Sequence, residues 1–258
     1  MMLAPGWKME MASATDRGRV RAQNEDSLIA DAELGYAVLA DGMGGYNAGE
    51  VASRIAVATV DAEMRKMSSA GAQRMTPLCV EEAVAAHVMA ANAAIYRAAS
   101  EQPGCSGMGT TLVMALWRGA SVVTAHVGDS RLYRLRGEVL TQVTRDHSFL
   151  QEQIDQGLID REQARHAPIR NLVTRALGVD PQVQVEVHTH LAEPGDVYLL
   201  CSDGLSDMLD DRDMTSTLRS GIDDLGRIAR ALVHQANESG GRDNISVVLA
   251  RLRTGQAG

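Results

Sequence analysis

The fold is best indicated by one stretch of the chain, Tyr36-Ala37-Val38-Leu39-Ala40-Asp41-Gly42-Met43-Gly44-Gly45. Its first five residues are all apolar, a pattern typical of a central strand that is buried on both faces. Asp41 then stands where this strand is expected to end. An Asp-Gly pair taken alone is an ordinary turn sequence. A hairpin turn, however, normally has polar residues in at least one flanking strand, and the run before Asp41 has none.

The same arrangement recurs along the chain. Asp129 follows a β-type run at residues 121–127, Asp203 follows residues 197–201, Asp243 precedes residues 245–252, and Glu25-Asp26 precede a run that begins at residue 27. Carboxylates gathered at neighbouring strand ends repel one another unless a cation lies among them. Hard divalent cations such as Mg²⁺ and Mn²⁺ prefer oxygen ligands. The seven histidines are scattered and form no HExxH pattern, so the acids are the predicted metal ligands.

The order of predicted elements indicates the fold class. Strands are predicted at residues 8–15, 27–31, 36–40, 110–117, 121–127, 131–135, 139–142, 183–190, 197–201 and 245–252, and helices at 49–67, 76–100, 148–165, 211–219 and 225–236. Strands and helices occur in blocks and do not alternate one by one. This order favours antiparallel sheets with helices packed outside them over a doubly wound parallel sheet.

Composition excludes several functional classes. The 25 Lys plus Arg against 33 Asp plus Glu give a net charge of −8, and no basic cluster is available to neutralise nucleic-acid phosphates. We expect no membrane partner. The longest uncharged stretch, residues 102–117, has 16 residues and contains Pro, Ser, Thr and Gly, whereas a membrane helix needs roughly 20 mostly apolar residues, and the N-terminus lacks a signal-peptide core. The three cysteines form no CxxC pair, which predicts reduced thiols in a cytoplasmic protein.

Nine short motifs, in order along the chain, resemble those of the metal-dependent protein phosphatase (PPM, or type 2C) family in its short bacterial form. They are residues 21–26 (RAQNED), 40–45 (ADGMGG), 49–50 (GE), 109–111 (GTT), 127–131 (VGDSR), 144–148 (TRDHS), 171–178 (NLVTRALG), 200–205 (LCSDGL) and 243–246 (DNIS). Each motif alone is weak evidence, but nine in sequence over about residues 15–250 are highly specific.

The resemblance implies a role for each acidic residue. Asp41 would bridge two metal ions, Mn²⁺ or Mg²⁺, with Asp203 and Asp243 completing the first and the Gly42 carbonyl reaching the second. Glu25 and Asp26 would act through metal-bound water, and Asp129 with Asp203 would hold a possible third, weaker ion. A metal-activated water would then attack the phosphorus of a phosphoserine or phosphothreonine.

Two further positions bear on catalysis. Arg21, five residues before Asp26, is the candidate catalytic and substrate-binding residue, because a guanidinium offers a bidentate fork to phosphate oxygens. Its spacing alone does not separate it from Arg17 and Arg19. Tyr46 stands where bacterial relatives often carry a histidine that is a candidate general acid, so the identity of the general acid is open. Either a metal-bound water would serve, or Tyr46 would hydrogen-bond the substrate.

These patterns together predict one α+β catalytic domain over residues 1–258, with four layers in the order αββα. Two antiparallel β-sheets would form a central sandwich flanked by helices, with the metal site at one edge and a flap at residues 147–171. The predicted function is a protein serine/threonine phosphatase that acts on phosphorylated proteins and opposes a separate serine/threonine kinase. We expect a monomer.

Other functions are weaker. A catalytically inactive phosphoprotein-binding module on the same scaffold would usually lose the metal ligands that this chain keeps. A haloacid-dehalogenase-type phosphatase needs an Asp-x-Asp nucleophile pair at a strand end, and the second large serine/threonine phosphatase family carries GDxHG and GNHE signatures. The chain has none of these in a suitable context.

Overall fold

The computed structural model describes residues 3–45, 48–69, 75–160, 163, 172–220 and 223–255. Its strands are β1 (Trp7–Asp16), β2 (Asp26–Asp31), β3 (Tyr36–Met43), β4 (Gly109–Thr110), β5 (Leu112–Arg118), β6 (Ser121–Val127), β7 (Arg131–Arg136), β8 (Val139–Gln142), β9 (Glu186–Leu191), β10 (Val197–Cys201) and β11 (Ile245–Thr254). Its α-helices are α1 (Ala48–Ser69), α2 (Pro77–Glu101), α3 (Phe149–Asp155), α4 (Asp203–Ser206), α5 (Asp211–Leu218) and α6 (Leu225–Glu238).

The strands form two antiparallel sheets. The first has the order β1-β11-β10-β7-β8, and the second has the order β2-β3-β5-β6-β9, with β4 added beside β3. Long, regular pairing sets the register of both sheets: β1 pairs with β11 from Trp7↔Thr254 to Asp16↔Ile245. The predicted antiparallel sandwich is therefore confirmed.

Three apolar clusters show how the layers stack. One lies between the second sheet and α1 and α2, and another lies between the first sheet and α5 and α6. The third joins the two sheets face to face, with Leu39, Val113, Trp117, Tyr198 and Val248 among its buried members. The layer order is thus αββα, as predicted. Buried aliphatic side chains do most of this packing, since few aromatic residues are available.

The two long helices follow the predicted pattern to different degrees. For α2 the spacing of apolar residues predicts one buried stripe, formed by Val80, Val84, Val88, Ala91 and Ile95, with Thr76 as the N-cap. All five stripe residues are buried, and Thr76 caps the helix by accepting the Cys79 N–H. This helix has the length and apolar composition of a membrane span, but its stripe packs in the helix–sheet core. For α1 the spacing predicts an apolar face of Val51, Ile55 and Ala58 with Val60, Met64 and Met67 beside them. This prediction was partly wrong, because the buried face combines Val60, Met64 and Met67 with Ala52 and Ala56.

Other boundaries differ locally from the predictions. β3 continues through Asp41 to Met43, because Gly42 and Met43 pair with β4. The strand predicted at 183–190 begins at Glu186. In the helix predicted at 148–165, α3 ends at Asp155, and residues 161–162 and 164–165 lie outside the described part. The short helix α4 begins at Asp203 and was not predicted.

Candidate functional site

The structure brings the predicted acids together around one cleft at an edge of the sandwich. The cleft has a volume of about 490 Å³, and its walls include Arg21, Glu25, Asp41, Gly42, Asp129, Asp203 and Asp243. Asp26 lies directly opposite Asp41 across the β2–β3 pair and does not form part of the described wall. The seven side chains and one glycine named from the sequence thus occupy one region.

Strand ends produce this convergence. Asp203 lies two residues after the end of β10, and Asp243 lies two residues before β11, which is the antiparallel neighbour of β10. Asp41 lies near the end of β3 in the facing sheet. The edge of the sandwich where these strands end therefore carries acids from both sheets, which come from positions up to about 200 residues apart in the sequence.

Hydrogen bonds fix the backbone of Asp41 on both sides. Its carbonyl accepts the N–H of Thr111 at 2.9 Å and the hydroxyl of Thr110 at 2.7 Å, and its own N–H donates to Oγ1 of Thr111 at 3.1 Å. The break between β4 and β5 at Thr111 creates this contact. With its main chain held, the Asp41 side chain has little freedom except in the direction of the cleft.

Gly42 sits where the backbone is too crowded for any other residue. A Cβ built on Gly42 would lie 2.1 Å from the carbonyl oxygen of Gly49 and 2.7 Å from that of Glu25. The Gly42 N–H also donates to the Glu25 carbonyl at 3.2 Å. The close approach of three backbone segments explains the glycine and leaves its main chain at the wall of the cleft.

The electrostatics of the cluster are unfavourable without a cation. Burial and the neighbouring charges of Asp26, Asp203, Asp129 and Asp243 raise the pKa of Asp41 well above its usual value. Burial, with the charge of Asp129 next in size, likewise raises the pKa of Asp203. For Asp129 burial, followed by the charge of Asp146, raises the pKa to about 6. Every one of these shifts reflects carboxylates that are poorly solvated and close to one another.

Asp26 adds a direct test of whether a cation fits. Its Oδ2 accepts the Ser202 hydroxyl at 2.9 Å, whereas its buried Oδ1 has no hydrogen-bond partner of good geometry within the described residues. Burial raises the pKa of Asp26 to about 6. Buried polar atoms are normally hydrogen-bonded, so an unsatisfied carboxylate oxygen in an acidic cluster fits a cation or its ordered water. The donor set is all oxygen, which suits Mg²⁺ and Mn²⁺.

Arg21 is the cation of the cleft wall. Its Nη2 donates to Oδ2 of Asp243 at 2.6 Å, and 56% of its side chain remains exposed. The hydrogen bond to Asp243 is the largest cause of the raised pKa of Arg21. The guanidinium therefore stays charged, and its exposed edge can bind an anion that enters the cleft. The structure separates Arg21 from Arg17 and Arg19, which are not part of the described wall.

Asn244 is a residue whose role was missed from the sequence. Its Oδ1 accepts the Glu25 N–H at 2.8 Å, and its Nδ2 donates to the carbonyls of Arg17 at 3.0 Å and Gln23 at 2.8 Å. This one buried amide thereby ties the loop that carries Arg21 to the start of β11. Its place in the motif at residues 243–246 was the available signal, but its partners lie more than 200 residues away.

Two predictions made from the sequence fall partly or wholly outside the described residues. Tyr46 lies there, so a hydrogen bond from Tyr46 to the substrate stays a prediction and the general acid stays open. Ten of the 25 residues of the flap segment, 161–162 and 164–171, lie there as well. Near the flap ends, Phe149 donates its N–H to the Leu172 carbonyl at 2.9 Å, and Val173 forms part of the cleft wall.

Similarity to known proteins agrees with this site. Residues 16–246 match the family described as protein phosphatase 2C. The chain is 41% identical over 242 residues to the serine/threonine protein phosphatase PstP of Mycobacterium tuberculosis, covering 94% of this chain and 45% of that protein. It is 38% identical over 250 residues to the serine/threonine phosphatase stp of Listeria innocua, covering 95% and 96% of the two chains.

A solved structure extends the comparison to the metal centre. The catalytic domain of PstP in complex with two manganese ions has a TM-score of 0.83 and 38% identity, covering 96% of this chain and 99% of that one. This chain thus spans less than half of the full-length Mycobacterium relative and nearly all of its catalytic domain. On its sequence, its fold and its match over residues 16–246, the chain belongs to the protein phosphatase 2C family.

Proposed function

We propose that the chain is a protein serine/threonine phosphatase that hydrolyses phosphoserine and phosphothreonine on proteins with the help of Mn²⁺ or Mg²⁺. The observation that carries this proposal is the cleft itself, where Asp41, Asp203, Asp243 and a charged Arg21 meet. Two divalent cations, when bound, would lower the pKa of a water and offset the charge of the phosphate ester. The catalytic domain is proposed to span residues 1–258, with a flap at 147–171.

The proposed metal ligands are Asp41 between two ions, Asp203 and Asp243 for the first, and the Gly42 carbonyl for the second. Glu25 and Asp26 would act through water, and Asp129 with Asp203 would hold a weaker third ion. The raised pKa values of Asp41 and Asp203 support this assignment, because a cation removes the repulsion that raises them.

Arg21 is proposed to bind the phosphoryl group of the substrate. Its guanidinium is anchored on one edge by Asp243 at 2.6 Å, and Asn244 holds the loop beneath it. The exposed edge can donate two parallel hydrogen bonds to phosphoryl oxygens. Positioning of the ester and stabilisation of its charge are the main contributions that protein groups make to phosphoryl transfer.

The biological partners follow as part of the proposal. The substrates would be phosphorylated proteins, and a separate serine/threonine kinase would supply them, since a phosphatase needs an enzyme that forms its substrate. We propose a monomer that acts in the cytoplasm. The relatives named above are phosphatases of this substrate class by name, which supports the assignment.

The proposal is tested by phosphate release from a phosphothreonine peptide in the presence of Mn²⁺. We expect turnover by the wild-type chain, none above background with Asp41→Asn, and none after removal of metal with a chelator. Asp211→Asn, a change at an exposed helix position, is the control. A correctly folded wild-type chain that binds phosphopeptide without turnover would instead support the inactive binding module.

A further inference from the structure

A cluster of imidazoles lies beside the Gly128–Asp129 turn, outside the cleft wall. His126, the penultimate residue of β6, and His147 are both buried. Their rings stack with centroids 4.7 Å apart and planes 12° apart. Glu186 at the start of β9 completes the group, and the three side chains bring one potential ligand atom each to within 4.8 Å of one another.

The hydrogen bonds of His147 argue against a metal ion in this cluster. Its Nδ1 accepts the N–H of Gly128 at 3.1 Å, so Nδ1 carries no proton. A neutral ring must then carry its proton on Nε2, which is the atom that would have to bind the ion. In addition, Nη1 of Arg175 lies 3.2 Å from this Nε2, and the positive charge of its guanidinium would repel a metal ion at that position.

His147 instead makes two hydrogen bonds with the backbone of Gly128. Its backbone N–H donates to the Gly128 carbonyl at 2.9 Å, while its ring accepts the Gly128 N–H. Gly128 has φ of +103°, and a Cβ there would lie 2.7 Å from Cβ of Thr111. The turn is therefore tight, and its next residue is Asp129. Because Gly128 directly precedes Asp129, hydrogen bonds that hold the Gly128 backbone also help to set the position of the Asp129 side chain.

The other edge of the ring contacts the second sheet. Nε2–H of His147 donates to Oε2 of Glu186 at 3.1 Å, and His188 contacts Oε1 at 2.8 Å. Burial would raise the pKa of Glu186, but the hydrogen bonds from His188 and His147 hold it at about 2. Burial lowers the pKa of His147 to about 4. Near neutral pH the pair is thus a neutral imidazole that donates to a carboxylate.

His147, the first residue of the flap segment, also lies beside residues 173–174, which follow that segment in the sequence. The carbonyl of His147 accepts the Thr174 N–H at 2.9 Å, and the next residue, Ser148, forms a bridge with Val173. Val173 lines the cleft. One residue therefore contacts the turn before Asp129, the edge strand β9 and the segment at residues 173–174.

We propose that His147 is a positioning residue that holds the Gly128–Asp129 turn, together with the neighbouring residues 173–174, in the arrangement needed for the weak metal position at Asp129. The proposal rests on the proposed function, because that function assigns Asp129 to the third ion. His147 lies outside the described cleft wall, so the proposal gives it no contact with substrate or ion. It acts through the acceptor at Nδ1 and the donor at Nε2, and these two contacts can be separated by substitution.

Three substitutions of His147 separate its contact with Gly128 from its contact with Glu186. His147→Asn keeps an acceptor at the position of Nδ1 and loses the contact with Glu186. His147→Gln can keep the contact with Glu186 and loses the acceptor for Gly128. His147→Leu removes both, and loss of a buried hydrogen bond is sufficient for effects of about tenfold.

The first measurement is calorimetric titration with Mn²⁺, with kcat and KM for a phosphothreonine peptide measured alongside. We expect His147→Leu and His147→Gln to weaken the low-affinity Mn²⁺ site about tenfold and to lower kcat with little change in KM. His147→Asn should restore Mn²⁺ affinity to within about threefold of wild type. In an Asp129→Asn background, His147→Leu should have no further effect on Mn²⁺ binding. Equal Mn²⁺ affinity in all variants, or rescue by Gln and not by Asn, would overturn the proposal.

The second measurement is amide hydrogen exchange at Gly128 in the metal-free protein, which does not depend on catalysis. Protection should fall at least about tenfold in His147→Leu and His147→Gln and persist in His147→Asn. Unchanged protection in His147→Leu would refute the positioning role even in an active enzyme. Absence of any Mn²⁺ binding by the wild type would refute the proposed function, and the exchange data would still decide whether His147 holds the turn. The Asn and Gln variants keep polar side chains of similar shape and serve if His147→Leu does not fold.

Discussion

The substitution Asp129→Asn is expected to stabilise the metal-free protein. Asp129 is buried, and its pKa is raised from 3.8 to about 6, first by burial and then by the charge of Asp146. A raised pKa means that the folded chain holds this proton more tightly than the unfolded chain. The stability that this gives is fully present below pH 3.8 and is lost as the pH rises through about 6. At neutral pH the ionised side chain therefore destabilises the metal-free fold.

The size of the stabilisation by Asp129→Asn follows from the difference between the folded and unfolded pKa values of Asp129. A difference of about 2 pKa units corresponds to about 3 kcal/mol of unfolding free energy at about pH 7.5. The same relation gives about 1 kcal/mol at about pH 4.5, where the folded carboxyl is mostly protonated. An asparagine is never charged, so the variant does not lose this unfolding free energy at neutral pH. For a domain of this length, about 3 kcal/mol corresponds to roughly 6–12 °C in Tm.

The assay is thermal unfolding with a chelator present, repeated at about pH 7.5 and about pH 4.5 and then with Mn²⁺. The variant should melt higher than wild type at the higher pH, the gap should shrink at the lower pH, and Mn²⁺ should stabilise wild type more than the variant. Asp146→Asn is the matched control, since Asp146 contacts Arg131 at 2.6–3.0 Å. It should destabilise by roughly 3 kcal/mol. A lower Tm for metal-free Asp129→Asn than for metal-free wild type at the higher pH would show that ionised Asp129 does not destabilise the fold.

Three other substitutions test separate parts of the site. Gly42→Ala should lower the free energy of unfolding by at least about 2 kcal/mol in urea titrations, because its Cβ would lie 2.1 Å from the Gly49 carbonyl oxygen. Gly45→Ala is the control, since open space surrounds its Cβ, and it should leave the free energy of unfolding nearly unchanged. Equal losses of stability in the two variants would contradict the crowding at Gly42. Arg21→Lys should reduce kcat/KM for a phosphothreonine peptide about tenfold or more, mainly through KM, since an ammonium cannot copy the bidentate fork; an unchanged KM would remove Arg21 from substrate binding. Asn244→Ala should cost about 2 kcal/mol of stability, because it removes the three hydrogen bonds that the buried Asn244 amide makes with backbone groups. It should also raise KM as the loop that carries Arg21 loosens. A stability loss with unchanged KM would limit Asn244 to a structural role.

The placement of the acids could be predicted from the sequence because each one stands next to a run of apolar residues. Such runs are strong strand signals, and a carboxylate beside them has few structural reasons to be there. The layer order could be predicted for the same reason, since the blocks of strands and helices leave few alternatives. Asp41, Asp203 and Asp243 therefore needed no knowledge of distant contacts.

Contacts that depend on distant partners could not be predicted. Asn244 is polar and ordinary in its local sequence, and its role comes from backbone groups of the loop at residues 17–25. The buried face of α1 was assigned partly wrongly for a related reason. Ala52, Ala56 and Ala58 are equally apolar, so periodicity alone does not show which of them faces the sheet, and Ala58 is exposed.

The histidine cluster shows the same limit. His126 and His147 are 21 residues apart, and no spacing rule connects them to Glu186. The fold brings them together because β9 is the neighbour of β6 and pairs Glu186 with His126. The distinction between a metal site and a hydrogen-bonded positioning residue then depends on a single backbone N–H, that of Gly128, which only the structure reveals.

The most direct test of the account is an anomalous-difference map from crystals of the wild-type chain grown with Mn²⁺. We expect two strong peaks in the cleft, with Asp41 between them and Asp203 and Asp243 beside the first, and a weaker peak beside Asp129. Density absent from the cleft, or a strong peak among His126, His147 and Glu186 instead, would contradict the central claim that the acidic cluster is the metal centre.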